Sequence, residues 1–259
     1  MERERIGEVT VPSGTLHILD PGHIGMFERE ELEEVPAISI DDLPRDRALA
    51  VWGEGAGDGP RYQAIVIEVN DAPVVSTEEV GVAIVDFARL LLADESNADK
   101  WIHSEAIDGK ADFLFWGRDA AALAAAIDAP AAGDGEYGWR DLAVDEAVRR
   151  GTEAEAKQEE HGWKLATDFR PHSHHWQALE LARAAASQAA TIDVEDLRVC
   201  LFFTGGDGEL PVLVDVAADG SPARIRIVLE ATEDGAEDDG DDDGEDDGDD
   251  DAEDGAEDA

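Results

Sequence analysis

From Ala231 to Ala259 the chain uses only Ala, Thr, Gly, Asp and Glu, and this segment bounds everything else. It holds 18 carboxylates and no basic residue. With so little apolar surface it cannot offset an ordering entropy of about 1–2 kcal/mol per residue. It is expected to be a disordered, solubilising brush that can also attract a basic partner. Asp239-x-Asp241-x-Asp243-Gly244 imitates the start of a calcium loop, but its last ligand position falls on Asp250 instead of a bidentate Glu. The foldable body is therefore about 230 residues, enough for one large domain or two small ones.

Removing the 18 tail carboxylates from 64 acidic residues leaves 46 against 20 basic ones, so the body alone is near −26 in a chain of −44. Such a surface repels phosphate, which argues against nucleic acid and anionic membranes and leaves a basic protein as a possible partner. Only 4 of the 20 cations are Lys. An acidic, Lys-poor body suits a halophilic, salt-rich cytoplasm, where a Debye length of about 3 Å at molar salt screens self-repulsion; a GC-rich genome is the other reading. The charged start MERERIGEV predicts no secretory signal, and the longest apolar run, Ala120 to Ile127, is too short to span a bilayer. A cytoplasmic protein is expected. Its single Cys200, inside VCLFF, reads as a buried reduced thiol.

Short β-branched runs occupy both ends of the body: IGEVTVP, GTLHIL, RALAVW, YQAIVIEV and GVAIVDFARLLL early, LRVCLFF, LPVLVDV and ARIRIVL late. Between them the spacing predicts helices at 97–102, 120–127, 144–160 and 174–186, with strands ADFLFWG and KLATDFR. The three late strands read as a meander with hairpins at Asp207-Gly208 and Asp219-Gly220. The expected class is α+β, a largely antiparallel sheet with inserted helices. A β-rich first module would span 1–78, an α+β second module 79–230 and the tail 231–259.

Two related halves are suggested by a weak repeat. SGTLHILDP at 13–21 lies on FARLLLADE at 87–95 with Asp20 opposite Asp94, and residues 54–69 resemble 204–216 through Gly-Asp-Gly and an alternating strand. The strand ending in Asp-Pro, the Gly-Asp-Gly segment and the final strand pair together resemble a group of uncharacterised prokaryotic domains with a Ser-Gly-x-Gly-Asp-Gly-x-Tyr-Pro-Val hallmark. The matching stretch is Thr204 to Val212, with Leu210 in place of the aromatic and one residue missing. The resemblance implies a fold and no reaction.

DFRPHSHHW, residues 168–176, is the densest chemical feature. Four of seven histidines, His161, His172, His174 and His175, fall within it or just before it. If residues 170–175 are extended, His172 and His174 share a face; if Pro171 opens a helix, His172 and His175 do. Asp168, His161 or Asp207 would complete a set of zinc ligands or catalytic groups. Against this, Pro171 and Ser173 suit a helix start, and neither HExxH nor paired CxxC occurs. Neither GxSxG nor a phosphate-binding GxxxxGK[ST] is present. Of six tryptophans, four adjoin a glycine; Trp116 and Trp176 are the candidates to line a groove.

The expectation is a non-catalytic interaction or scaffold protein without metal or cofactor. The alternative is a metal-dependent hydrolase or other enzyme built on His172, His174 and His175.

Overall fold

A computed structural model describes residues 3–26, 35–55, 61–97, 100–133 and 135–229. The acidic tail and the Gly-Asp-Gly at 57–59 lie outside them. From the N-terminus, β1 (Arg3–Thr10) and β2 (Leu16–Leu19) lead into a single helical turn, α1 (Pro21–Ile24), then β3 (Ala37–Ile40), β4 (Ala48–Glu54) and β5 (Ala64–Glu68). β6 (Val74–Val85) and β7 (Arg89–Asp94) begin the second part. A long excursion follows: β8 (Lys110–Trp116), α2 (Ala120–Ile127), β9 (Ala131–Gly133), β10 (Glu136–Ala143), α3 (Val144–His161), β11 (Ala166–Pro171), α4 (His174–Ala184) and β12 (Ala189–Val194). β13 (Leu197–Phe203), β14 (Gly208–Ala217) and β15 (Pro222–Val228) complete the fold.

The strands form three sheets, ordered β1-β4-β5-β15-β14-β6, β12-β13-β7-β2-β3 and β11-β8-β10-β9. Every pairing among the described residues is antiparallel. The β-rich α+β class expected from the sequence is what the chain adopts.

Period-two alternation drives the first two sheets together. β4 alternates half-exposed and buried along its whole length, and Val9, Val51, Ile65, Ile67, Val212, Ile225 and Ile227 turn inward from the six-stranded sheet. Leu16, Ile18, Leu90, Leu92 and Phe202 meet them from the five-stranded sheet. Each such side chain contributes about 1.5–3 kcal/mol by leaving water. The five-stranded sheet is buried on its other face too, where Leu91, Val199 and Leu201 pack on Ala178, Leu179 and Ala182 of α4. That double burial explains the unbroken apolar runs in β7 and β13. The four-stranded sheet has a separate core, Phe113 and Phe115 against Leu123, Ile127, Ala147 and Ala154.

Double burial also corrects the expected meander. A strand apolar on both faces belongs between two layers, so β13 pairs with β7 and β12, while β14 and β15 pair in the other sheet. Asp207-Gly208 thus stands at a crossover between sheets; Asp219-Gly220 does turn a hairpin, with Gly220 at φ +86°. Of the expected helix at 97–102, residues 98 and 99 lie outside the described residues, and a 3-10 turn stands just before them at Glu95–Asn97. β3, β9, β10 and β12 were not expected: they are short or carry charges, and only pairing makes them strands. The expected boundary at 78/79 falls inside β6, and residues from both sides of it fill one core.

The six-stranded sheet reads β1-β4-β5 from one edge and β6-β14-β15 from the other. At the centre of the five-stranded sheet Ile18 pairs with Leu92. Two buried carboxylates flank this pair. Asp20 accepts from Gly22 N at 2.8 Å with one oxygen, and from Asp86 N at 3.0 Å and Phe87 N at 2.8 Å with the other. Asp94 accepts from Ser96 N at 3.0 Å with one oxygen, and from Ser13 N at 2.8 Å and Ser13 Oγ at 2.7 Å with the other. Each aspartate ends one central strand, caps the turn after it and grips the turn before the other strand. Leu43 N donates to Gly14 O and Thr204 N to Ala88 O, both at 3.0 Å, on equivalent sides. Burial alone would raise the Asp94 carboxyl; the bonds from Ser96 and Ser13 outweigh it and hold the carboxyl below the ordinary range.

Cys200 is free and buried, and burial pushes its thiol up to about 12, which leaves it unreactive. β1 reaches it at Gly7, where a Cβ would come within 2.6 Å of Sγ.

Candidate functional site

The nonapeptide joins the four-stranded sheet to α4. Its first part is strand: Arg170 lies opposite Asp112 of β8, and His172 N continues the ladder to Lys110 O at 3.0 Å. Pro171 and Ser173 then stop the strand, and Ser173 caps α4 by accepting from Trp176 N at 3.2 Å. Helical spacing projects Trp176, Gln177, Glu180 and Leu181 toward the sheet. With Asp112, Arg170 and His172 they line a cavity of about 310 Å³.

Asp112 is the buried hub of this groove. β10 is irregular between Trp139 and Leu142, with Asp141 at φ +56°, and this turns Asp141 N onto Asp112 Oδ1 at 2.9 Å. Arg140 reaches Asp112 Oδ2 at 3.2 Å and Glu180 at 3.5 Å. Arg170 holds Asp168 at 2.6 Å and Glu180 at 3.7 Å, with its guanidinium 5.4 Å from the Trp176 ring.

His172 lies between two carboxylates, Nδ1 3.0 Å from Asp108 Oδ2 and Nε2 3.1 Å from Asp112 Oδ1. Burial alone would lower its pKa; the hydrogen bonds to Asp112 and Asp108 raise it above the ordinary value. Both ring nitrogens face carboxylates, so neither is turned to the open groove.

The other candidates do not meet His172 at one point. His174 Nδ1 accepts from Ile102 N at 3.1 Å, so that nitrogen carries no proton, and burial lowers its pKa. His175 turns to the opposite face of α4, against His103 at 4.0 Å between ring centres. His161 stacks on Trp163 at 4.4 Å at the exposed end of α3. Asp168 is committed to Arg170, and Asp207 accepts from Ala88 N at 2.8 Å. Among the described residues no three His, Cys, Asp or Glu side chains converge as a metal site would require. Trp176 lines the groove, whereas Trp116 lies at the end of β8, 37% exposed and outside the cavity wall.

Sequence reasoning missed Asp112, Arg140 and Glu180. A lone carboxylate inside the apolar strand KADFLFW was the available signal, because a buried charge there has to be paired. Arg140 and Glu180 carried none.

No family model, curated protein or solved structure matches this chain. Fold and site together define a β-rich α+β protein with a small-molecule-sized groove on an excursion from a two-sheet frame. No described helix is long and apolar enough to cross a membrane.

Proposed function

We propose that the protein is a non-catalytic interaction module that receives a basic segment of a partner in the groove between α4 and the four-stranded sheet. The observation that carries this reading is His172 held at both nitrogens by Asp108 and Asp112, in a groove whose aromatic wall, Trp176, stands beside Arg170 and the half-exposed carboxylate of Glu180. A body with 46 carboxylates against 20 cations adds a long-range field that draws cationic partners. The same acidity supports work in a salt-rich cytoplasm.

We further infer that the two parts of the chain are copies of one unit. The strand order read from either edge, the matched roles of Asp20 and Asp94 and the alignment of residues 13–21 with 87–95 support this. The likeness of Thr204 to Val212 to the Gly-Asp-Gly domains supports kinship in fold. On this reading the groove belongs to material inserted into the second copy.

Titrating the full chain with an arginine-rich peptide, followed by tryptophan fluorescence, tests the function. Glu180→Gln and Trp176→Ala are each expected to weaken binding about tenfold, and deletion of residues 231–259 to leave a groove-dependent component intact. Unchanged affinity in both groove variants, with binding lost on tail deletion, would sink the proposal.

A further inference from the structure

The face of α4 turned away from the groove meets a different set of groups. His175 is 2% exposed, and its Nδ1 has no partner among the described residues. The ring it stacks on, His103, likewise buries an unpartnered Nε2. Arg89 arrives from β7 with its guanidinium 5.3 Å from the Phe87 ring and its buried Nε unpartnered. Phe87 and His103 press on one short turn: a Cβ on Gly22 would come 2.2 Å from the Phe87 ring, and one on Gly25 2.4 Å from the His103 ring. Arg183 approaches along α4, its guanidinium 5.9 Å from the Trp176 ring.

These four groups share one field. Burial first, then the stacked His103 and after it the positive charges of Arg89 and Arg183, hold His175 down to about 2. The two arginines also act on each other, since Arg183 lowers Arg89. Neither forms an ion pair among the described residues, although the chain carries 64 carboxylates. The carboxylates acting on Arg89 are Asp20 and Asp207, through their fields alone. Asp20 is committed to three backbone N–H groups and Asp207 to Ala88 N.

The turn delivering Arg89 is firmly built. The N–H groups of Asp86, Phe87 and Ala88 are each bound by a carboxylate, and Thr204 N holds Ala88 O. The buried, unpartnered Nε of Arg89, Nε2 of His103 and Nδ1 of His175 are costly, about 1–3 kcal/mol for each unsatisfied buried group. A neutral imidazole still donates one N–H, and guanidinium donors fit oxyanions in pairs. A bound oxyanion would cancel the repulsion and occupy the donors at once.

We propose that Arg89, Arg183, His103 and His175 form a binding site for a small phosphate-type oxyanion. The arginines supply charge and the two imidazoles supply N–H donors. The stacked imidazoles lie across α4 from the groove, Arg183 borders the Trp176 ring, and the proposal does not rest on the groove's proposed role.

Calorimetric titration of the full chain with inorganic phosphate, at low chloride and near-neutral pH, tests it. Saturable one-to-one binding is expected. Arg183→Gln, at an exposed position where the fold is safe, should weaken it about tenfold, and Arg183→Lys should restore most of the loss. Arg45→Gln is the control: Arg45 lines a separate, open concavity of about 440 Å³ with Arg47, Arg198, Asp46 and Asp196, and its loss should change nothing. Absence of saturable heat, wild-type affinity in Arg183→Gln, or an equal loss in Arg45→Gln would each overturn the proposal.

Discussion

The connections after the two central strands differ greatly. After β2, residues 20–36 return the chain to β3; after β7, residues 95–196 build a whole sheet and three helices before β13 pairs beside β7. Yet each of the two strands ends in a buried aspartate, Asp20 or Asp94, that binds the turn after its own strand and the turn before the other. Where the parts agree, residues are spent on packing and turn geometry. Where they differ, a groove, a histidine cluster and an arginine pair appear. The lesson is that a frame stabilised by reciprocal clamps can carry a large excursion, because the excursion leaves and re-enters beside strands already locked.

The largest test breaks that reciprocity. Asp94→Ala orphans Ser13 N and Ser96 N, and Asp20→Ala orphans Gly22 N, Asp86 N and Phe87 N. Each is expected to cost about 3 kcal/mol or more. Urea denaturation should register the loss as one transition of the shared core; a cost under about 1 kcal/mol for either would end the claim that the clamps are equivalent. Because the Asp94 carboxyl is held low, its stabilisation is present above the ordinary carboxylate range and lost as pH falls through its folded value.

A smaller effect separates frame from excursion through acid. His175 stays neutral in the fold down to about 2, while the unfolded chain binds that proton near 6.5. The unfolded state therefore gains by about 1.4 kcal/mol for each pH unit below 6.5. His175→Phe should flatten stability between about pH 6.5 and 4.5 in chemical denaturation. His172 acts with the opposite sign: its raised pKa gives stability that is present below 6.5 and fades as pH rises through the folded value. An unchanged acid slope in the His175 variant would remove burial of that ring as the cause.

The smallest test compares two helix starts within the excursion. Ser173 caps α4, so Ser173→Ala should cost about 1 kcal/mol. Asp119 precedes α2 but makes no side-chain bond to it, and accepts from Lys164 N at 2.7 Å instead. Asp119→Ala should loosen the approach to β11 in hydrogen exchange and leave the start of α2 as protected as before.

Much of the fold was legible in residue pattern. The alternating runs of β1, β4, β5, β14 and β15 emerged as strands, and α2, α3 and α4 lie within a few residues of the expected spans. The alignment of Asp20 with Asp94 rested on nine residues, and each of the two carboxylates accepts from backbone N–H groups of two turns. The groove was half legible: Arg170, His172 and Trp176 were in the quoted nonapeptide, but its ion pairs join four elements distant in sequence. The histidines were the misleading feature, since adjacency in the chain put successive rings on different faces at a strand-to-helix junction.

By itself the sequence determined period, charge and punctuation: which runs alternate, where Pro and Gly interrupt, and that carboxylates outnumber cations. Those are local or additive properties and need no partner to be read. Tertiary structure alone decided which sheet β13 joins, which carboxylates hold His172, and that Arg89 and Arg183 form no ion pair among the described residues. Such choices depend on side chains far apart in sequence competing for the same few ångströms, and no local pattern encodes the outcome.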